Sequence, residues 1–271
     1  MRRSLWLSIA LGLALLGVRS ASATDYWDLA TDNDNGIGTD NELLNGTTQQ
    51  HDLQVNGAVA DQDWFVVVNY PRSSYEALVD STSGDLNLFG AGAFSRLDAT
   101  GTSVLQAAEY ANPGGGTGYS EALRWVNAGT TIVEQFLRVQ APGCTTTCGP
   151  EDQYHIRFHE TTVSVPRFNN ASGQITVLII QNGTGWPPAR PIGGTAFFWD
   201  TAGALLGSSN FSIAPRGALV LNTSTVAGAA GVGGTITVAH DGGYGGLAIK
   251  SVALEPATGF SFDTPGTYKP D

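Results

Sequence analysis

"QITVLIIQN", residues 174–182, decides the fold of this chain. Val177, Leu178, Ile179 and Ile180 follow one another without a polar break, so the run is apolar on both faces. That is the pattern of a strand in the middle of a sandwich sheet. Similar short runs lie on either side of it. Before it stand "DWFVVVN" (63–69), "YEALVD" (75–80), "LNLFG" (86–90), "SVLQAAEY" (103–110), "TTIVEQFLRVQ" (130–140) and "QYHIRFHE" (153–160). Around and after it stand "TTVSVPRF", "GTAFFWD", "GALVLNT", "GTITVAH" and "GLAIKSVALE". Gly, Pro, Asn and Asp separate these runs at intervals of about ten residues, as turns separate strands. The chain reads as all-β, with two consecutive antiparallel β-sandwich domains that meet near residue 160.

Composition agrees. Gly is abundant at 35 residues of 271, basic residues are few, and long runs of strong helix formers are missing. The first 23 residues, "MRRSLWLSIALGLALLGVRSASA", place Arg2 and Arg3 before an apolar run and end in Ala21-Ser22-Ala23. That order is a secretory signal with an A-x-A cleavage site, so the mature protein is expected to start at Thr24, outside the cytoplasm and with no membrane span. Cleavage removes three of the 13 basic residues and no acidic one, leaving 10 against 24. So acidic a surface repels nucleic acid and anionic lipid.

The two cysteines, Cys144 and Cys148, enclose "TTT" between Gly143 and Gly149-Pro150. In an exported chain two such thiols are expected to pair, if the loop curls until the Cα atoms come within about 7 Å.

The stretch from Ala58 to Leu105 carries Asp61, Asp63, Trp64, Phe65, Tyr75, Val79, Leu97, Asp98 and Gly101 in an order that resembles the bacterial pre-peptidase C-terminal domain. The resemblance implies a β-sandwich that accompanies secreted enzymes or surface proteins and, in some relatives, binds polysaccharide or collagen. It divides the chain into the signal, an acidic segment 24–45, a first sandwich 46–160, and residues 161–271. This last part resembles an immunoglobulin-like module of secreted bacterial proteins with a C-terminal tail. In calcium-dependent relatives of the first module the ligands lie in the acidic segment before the first strand.

That segment is "DNDNGIGTDNE", residues 32–42. Calcium takes six to eight oxygen ligands, which acidic loops containing Gly supply with little strain. Asp32, Asp34, Asp40 and Glu42 are the candidate ligands, with Asp61 or Asp63 reaching in from the next strand. The spacing is not that of an EF-hand, and a solvated turn is the competing expectation.

Other chemistry is harder to find. His155 and His159 share one strand face but stand about 13 Å apart, too far for one ion. His51 and His240 adjoin Asp52 and Asp241, yet adjacency in sequence makes no dyad. The chain has no G-x-S-x-G, no H-E-x-x-H and no phosphate-cradling loop. Trp64, Trp125 and Trp199 sit in strand patterns and are expected in the core. Trp186, in "NGTGWPPARP", is the candidate for stacking on a sugar ring. Five N-x-[ST] sequons, including those at Asn170 and Asn182, are expected to have no role in a bacterial chain. Two function classes follow. The preferred one is a secreted, non-catalytic binding or structural protein that contacts polysaccharide, matrix protein or the cell envelope. The alternative is a secreted hydrolase built from paired acids on distant strands.

Overall fold

The structure is a computed structural model and describes residues 27, 34–54, 61–83, 88, 92–110, 120–140, 148–184 and 190–269. Its strands pair in antiparallel ladders and form four sheets. The first half contains β1 (Thr48–Asp52), β2 (Gln62–Asn69), β3 (Ser73–Ser81), β4 (Phe94–Leu97), β5 (Val104–Ala107), β6 (Glu109–Tyr110), β7 (Ser120–Asn127), β8 (Val133–Gln140) and β9 (Gln153–Glu160). They make one sheet in the order β1-β9-β3-β7-β6 and a facing sheet in the order β2-β8-β4-β5. Phe65, Val67, Leu137 and Val139 from one sheet meet Tyr75, Ala77, Leu123, Tyr154, Ile156 and Phe158 from the other.

Strand periodicity explains which residues meet. On β9, Tyr154, Ile156 and Phe158 are buried, while His155, Arg157 and His159 are half-exposed, as the alternation predicts. On β2 the inward row is Asp63, Phe65, Val67 and Asn69, so an apolar centre is flanked by a polar residue at each end. Asn69 accepts a hydrogen bond from Trp125 Nε1 at 2.7 Å. Asp63, at the other end, belongs to the site described below.

The second half contains β10 (Val163–Asn169), β11 (Ile175–Asn182), β12 (Ile192–Asp200), β13 (Leu205–Ile213), β14 (Ala218–Asn222), β15 (Gly233–His240), β16 (Leu247–Glu255), β17 (Phe260–Pro265) and β18 (Thr267–Tyr268). Their sheet orders are β13-β12-β15-β10-β18 and β14-β11-β16-β17. Val165, Phe168, Leu178, Ile180, Phe198, Ile236 and Val238 fill the core between them.

The opening stretch is β11, and it is an interior strand between β14 and β16. Its two faces differ, however. Thr176, Leu178, Ile180 and Asn182 are buried, whereas Val177 and Ile179 are half-exposed on the outer face. One side of a sandwich sheet faces the core and the other does not, so apolar residues on both faces did not mean burial on both. "LNLFG" lies outside the described residues except for Leu88, which is buried. The strands β1, β4, β7, β13, β17 and β18 lie outside the apolar runs that the sequence marks.

The two sandwiches join without a linker. Only Thr161 and Thr162 separate β9 from β10. Thr161 N donates to Ser74 O at 2.7 Å, and Ser74 N donates to Thr162 Oγ1 at 2.9 Å. Glu76 accepts from Arg124 Nε at 2.6 Å within the first sandwich and, across the same seam, from the backbone N of Tyr244 at 2.8 Å. A Cβ at Gly243 would stand 2.7 Å from Glu76 Oε1, so a larger residue there would displace the Glu76 carboxylate. His159 stacks on Tyr244 with ring centroids 4.6 Å apart.

Candidate functional site

The acidic segment lies along β2. Trp64 N donates to Asp34 O at 2.8 Å, Val66 N donates to Asn41 O at 2.8 Å, and Leu43 N donates to Val66 O at 3.0 Å. From residue 39 to 44 the segment is extended and alternates strictly: Thr39, Asn41 and Leu43 are buried, while Asp40, Glu42 and Leu44 are exposed. The expected set of calcium ligands is divided by this alternation. Asp34 and Asp63 come together in the interior, Asp40 and Glu42 face solvent, and Asp32 lies outside the described residues.

The third member of the cluster is His51 on β1. One ligand atom from each of Asp34, His51 and Asp63 lies within 4.8 Å of the others. The three side chains are almost wholly buried, at 0, 1 and 0 % exposure. His51 Nδ1 stands 3.6 Å from Asp34 Oδ2. His51 Nε2 is 3.0 Å from Gln49 Oε1, an oxygen that only accepts, so Nε2 carries the hydrogen. The Tyr154 hydroxyl donates to Asp63 Oδ2. Aromatic rings close the imidazole in: Phe65 edge-on at 4.9 Å, and Tyr154 and Trp27 stacked at 5.6 and 6.5 Å.

The cluster offers two carboxyl groups and an imidazole nitrogen, while the two further carboxylates of the expected calcium set, Asp40 and Glu42, are on the solvent face. His51 was passed over in the sequence because its neighbour, Asp52, invites attention first. Asp52 instead accepts from Gln54 N at 3.0 Å.

A second site lies in the seam between the sandwiches. A cleft of about 310 Å³ is lined by Arg72, Ser73, Glu160, Thr162, Ser164, Trp199, Thr237, Thr267, Tyr268 and Lys269, with Pro71 at its edge. Lys269 Nζ donates to Glu160 at 2.6 Å. The Arg72 guanidinium lies over the Trp199 ring at 5.4 Å, and Trp199 Nε1 donates to Thr237 Oγ1 at 2.9 Å. Burial raises the Tyr268 phenol, which stays a neutral donor to Leu247 O at 3.0 Å. Trp199 is therefore not the core residue that the sequence suggested. On β12 Ala196 and Phe198 face the core, whereas Phe197 and Trp199 alternate onto the other face, where Trp199 is half-exposed.

No protein-family model and no curated protein matches the chain. Among solved structures, a β-glucuronidase from Parabacteroides merdae is 11 % identical over 75 % of this chain and 27 % of its own, with a TM-score of 0.19. A putative β-galactosidase from Bacteroides fragilis is 12 % identical over 79 % of this chain and 34 % of its own, with a TM-score of 0.18. A β-glucuronidase of glycoside hydrolase family 2 is 12 % identical over 85 % and 26 %, with a TM-score of 0.19. The chain spans about a third or less of the length of these proteins, and at these TM-scores the likeness carries no argument.

Of the remaining expected site residues, Trp186 and Cys144 fall outside what the structure describes. Cys148 is buried and packs in the core of the first sandwich. Asp241 accepts from Gly193 N at 2.8 Å and lies 3.8 Å from Arg190, so it is engaged away from the adjoining His240. Among the described residues no helix is long and apolar enough to cross a membrane.

Proposed function

We propose that the chain is an exported, non-catalytic binding protein whose cleft between the two sandwiches takes a saccharide segment of an extracellular polysaccharide or glycosylated surface. The observation that carries this reading is the chemistry of the cleft lining. Hydroxyl side chains from Ser73, Thr162, Ser164, Thr237 and Thr267 surround a half-exposed Trp199 and a Lys269–Glu160 ion pair. Sugars present an apolar ring face beside a fringe of hydroxyls, and an aromatic plane bordered by hydrogen-bonding groups is complementary to both. The resemblance of the first sandwich to the pre-peptidase C-terminal domain, some of whose members bind polysaccharide, supports the same reading.

Glycoside hydrolysis needs two carboxyl groups roughly 5 to 9 Å apart. Among the described residues lining the cleft Glu160 is the one carboxylate, and Lys269 holds it. This favours binding over bond cleavage. Calorimetric titration with hits from a glycan array is the test. Trp199→Ala should weaken binding roughly tenfold, about the loss of one aromatic stacking contact, with the fold preserved in circular dichroism. Saccharide binding that is unchanged in this variant, or seen nowhere on the array, refutes the assignment. Export also implies the Cys144–Cys148 bridge. Peptide mapping without reduction should recover both in one cross-linked fragment, and free thiols in the secreted protein would exclude it.

A further inference from the structure

We infer that Asp34, His51 and Asp63 form a closed structural site for a divalent first-row transition cation of the zinc type, which fastens the acidic segment to the first sandwich. The three residues come from three separate pieces of chain: the segment that lies along β2, the end of β1 and the start of β2. Their ligand atoms converge within 4.8 Å in an interior with 1 % exposure or less.

Four observations point to this cation. The first is distance. His51 Nδ1 and Asp34 Oδ2 are 3.6 Å apart, longer than the roughly 2.7–3.2 Å of an N–H···O bond. Two ligands at about 2.0–2.2 Å from one tetrahedral ion stand roughly 3.4 Å from each other. The second is the tautomer. Because Nε2–H donates to Gln49 Oε1, the lone pair of a neutral imidazole is on Nδ1, the atom facing Asp34. A proton on one side of the ring and a metal on the other is the usual state of a ligating histidine.

The third is charge. Asp34 and Asp63 bring two carboxyl groups together in the interior beside an imidazole nitrogen, an arrangement that a divalent cation compensates. The fourth is support from neighbours. Gln49 orients the imidazole and Tyr154 orients the Asp63 carboxylate. These are the outer partners that hold ligands in place around a metal. One nitrogen and carboxylate oxygens suit zinc better than calcium, which asks for six to eight oxygens. The ligand atoms lie out of contact with solvent, which suits a structural role better than a catalytic position that a substrate must reach.

The test uses the purified mature protein, stripped with a chelator, then offered zinc, cobalt(II) or calcium separately. Elemental analysis after gel filtration should find about one zinc per chain. The unfolding temperature should rise with zinc, because a ligand specific to the folded form stabilises it. X-ray absorption of the zinc-loaded wild type should report one imidazole nitrogen among oxygen ligands. That measurement needs no variant, so it stands even where a substitution prevents folding. His51→Gln should lose the retained zinc. Tyr154→Phe and Gln49→Ala should weaken it by about 10- to 100-fold, as outer partners do. Asp40→Asn combined with Glu42→Gln should leave uptake unchanged. Folded wild type that takes up no zinc, that takes calcium in preference, or that gives zinc no nitrogen ligand overturns the assignment. So does full zinc retention in folded His51→Gln.

Discussion

The two sandwiches each bury a histidine completely, and they treat it in opposite ways. His51 in the first sandwich faces the carboxylates of Asp34 and Asp63. His240 in the second accepts from Gly242 N at 3.1 Å, and burial pushes it down to about 4, so it stays neutral. The same contrast runs through the polar groups around them. The interior of the second sandwich is closed by neutral amides and hydroxyls. Asn170 Oδ1 accepts from Thr176 N at 3.0 Å and from Thr223 Oγ1 at 2.9 Å, while its Nδ2 donates to Ala229 O at 2.8 Å. Asn182 Nδ2 donates to Ile213 O at 3.0 Å. Every bond of that network is protein to protein. An amide carries both a donor and acceptors and can be satisfied within a fold, whereas a carboxylate only accepts and brings a charge that needs a cation or a proton.

The comparison is broken most severely by moving a charge to the neutral side. Asn170→Asp puts an acceptor where Nδ2 now donates to Ala229 O, and an uncompensated buried charge costs about 3–5 kcal/mol. For a domain of this size the melting temperature should fall by roughly 10–20 °C. A variant that melts within a degree or two of the wild type would show that neutrality is not what closes this core.

Acid attacks the second sandwich through His240. The unfolded chain takes up a proton near pH 6.5, but the folded chain resists until about pH 4. Between those values the unfolded state binds more protons, so this contribution to stability is present above 6.5 and is lost as pH falls toward 4. Its full size is about 3 kcal/mol. Urea unfolding at neutral and acid pH should show a slope in the wild type that His240→Gln reduces. An equal slope in both proteins would assign the acid sensitivity elsewhere.

The smallest effect sharpens the comparison within the first sandwich. Asp40→Asn with Glu42→Gln removes two carboxylates from the acidic segment, yet stability should change by no more than about 0.5 kcal/mol because both are exposed. A larger loss, read from chemical denaturation, would mean that these two groups act with Asp34 and Asp63 after all.

Strands were legible wherever burial alternated or was continuous. Tyr154, Ile156 and Phe158 announced β9, and Val177 to Ile180 announced β11. The segment "SEALRWVN" did not announce β7, because Glu121 is buried beside Ala122 and Leu123 and breaks the apolar row. The site was half legible. Asp34 and Asp63 stood out by residue type, but extended backbone sends Asp40 and Glu42 outward, and a count of acidic residues carries no such direction. His51 enters the cluster only because β1 pairs with β9, residue 51 opposite Tyr154. Pairing across a hundred residues leaves no local mark. The sequons at Asn170 and Asn182 were expected to have no role, and both side chains are buried and hydrogen-bonded.

The two-residue join of Thr161 and Thr162 has a kinetic consequence for the cleft. With Ser74 bonded to both threonines, the walls of the cleft are fixed when the chain folds, and no hinge remains to be ordered when a ligand arrives. Association should then be a single encounter step, first order in ligand with no slow closing phase. Selectivity among ligands would be expressed in how long each one stays bound.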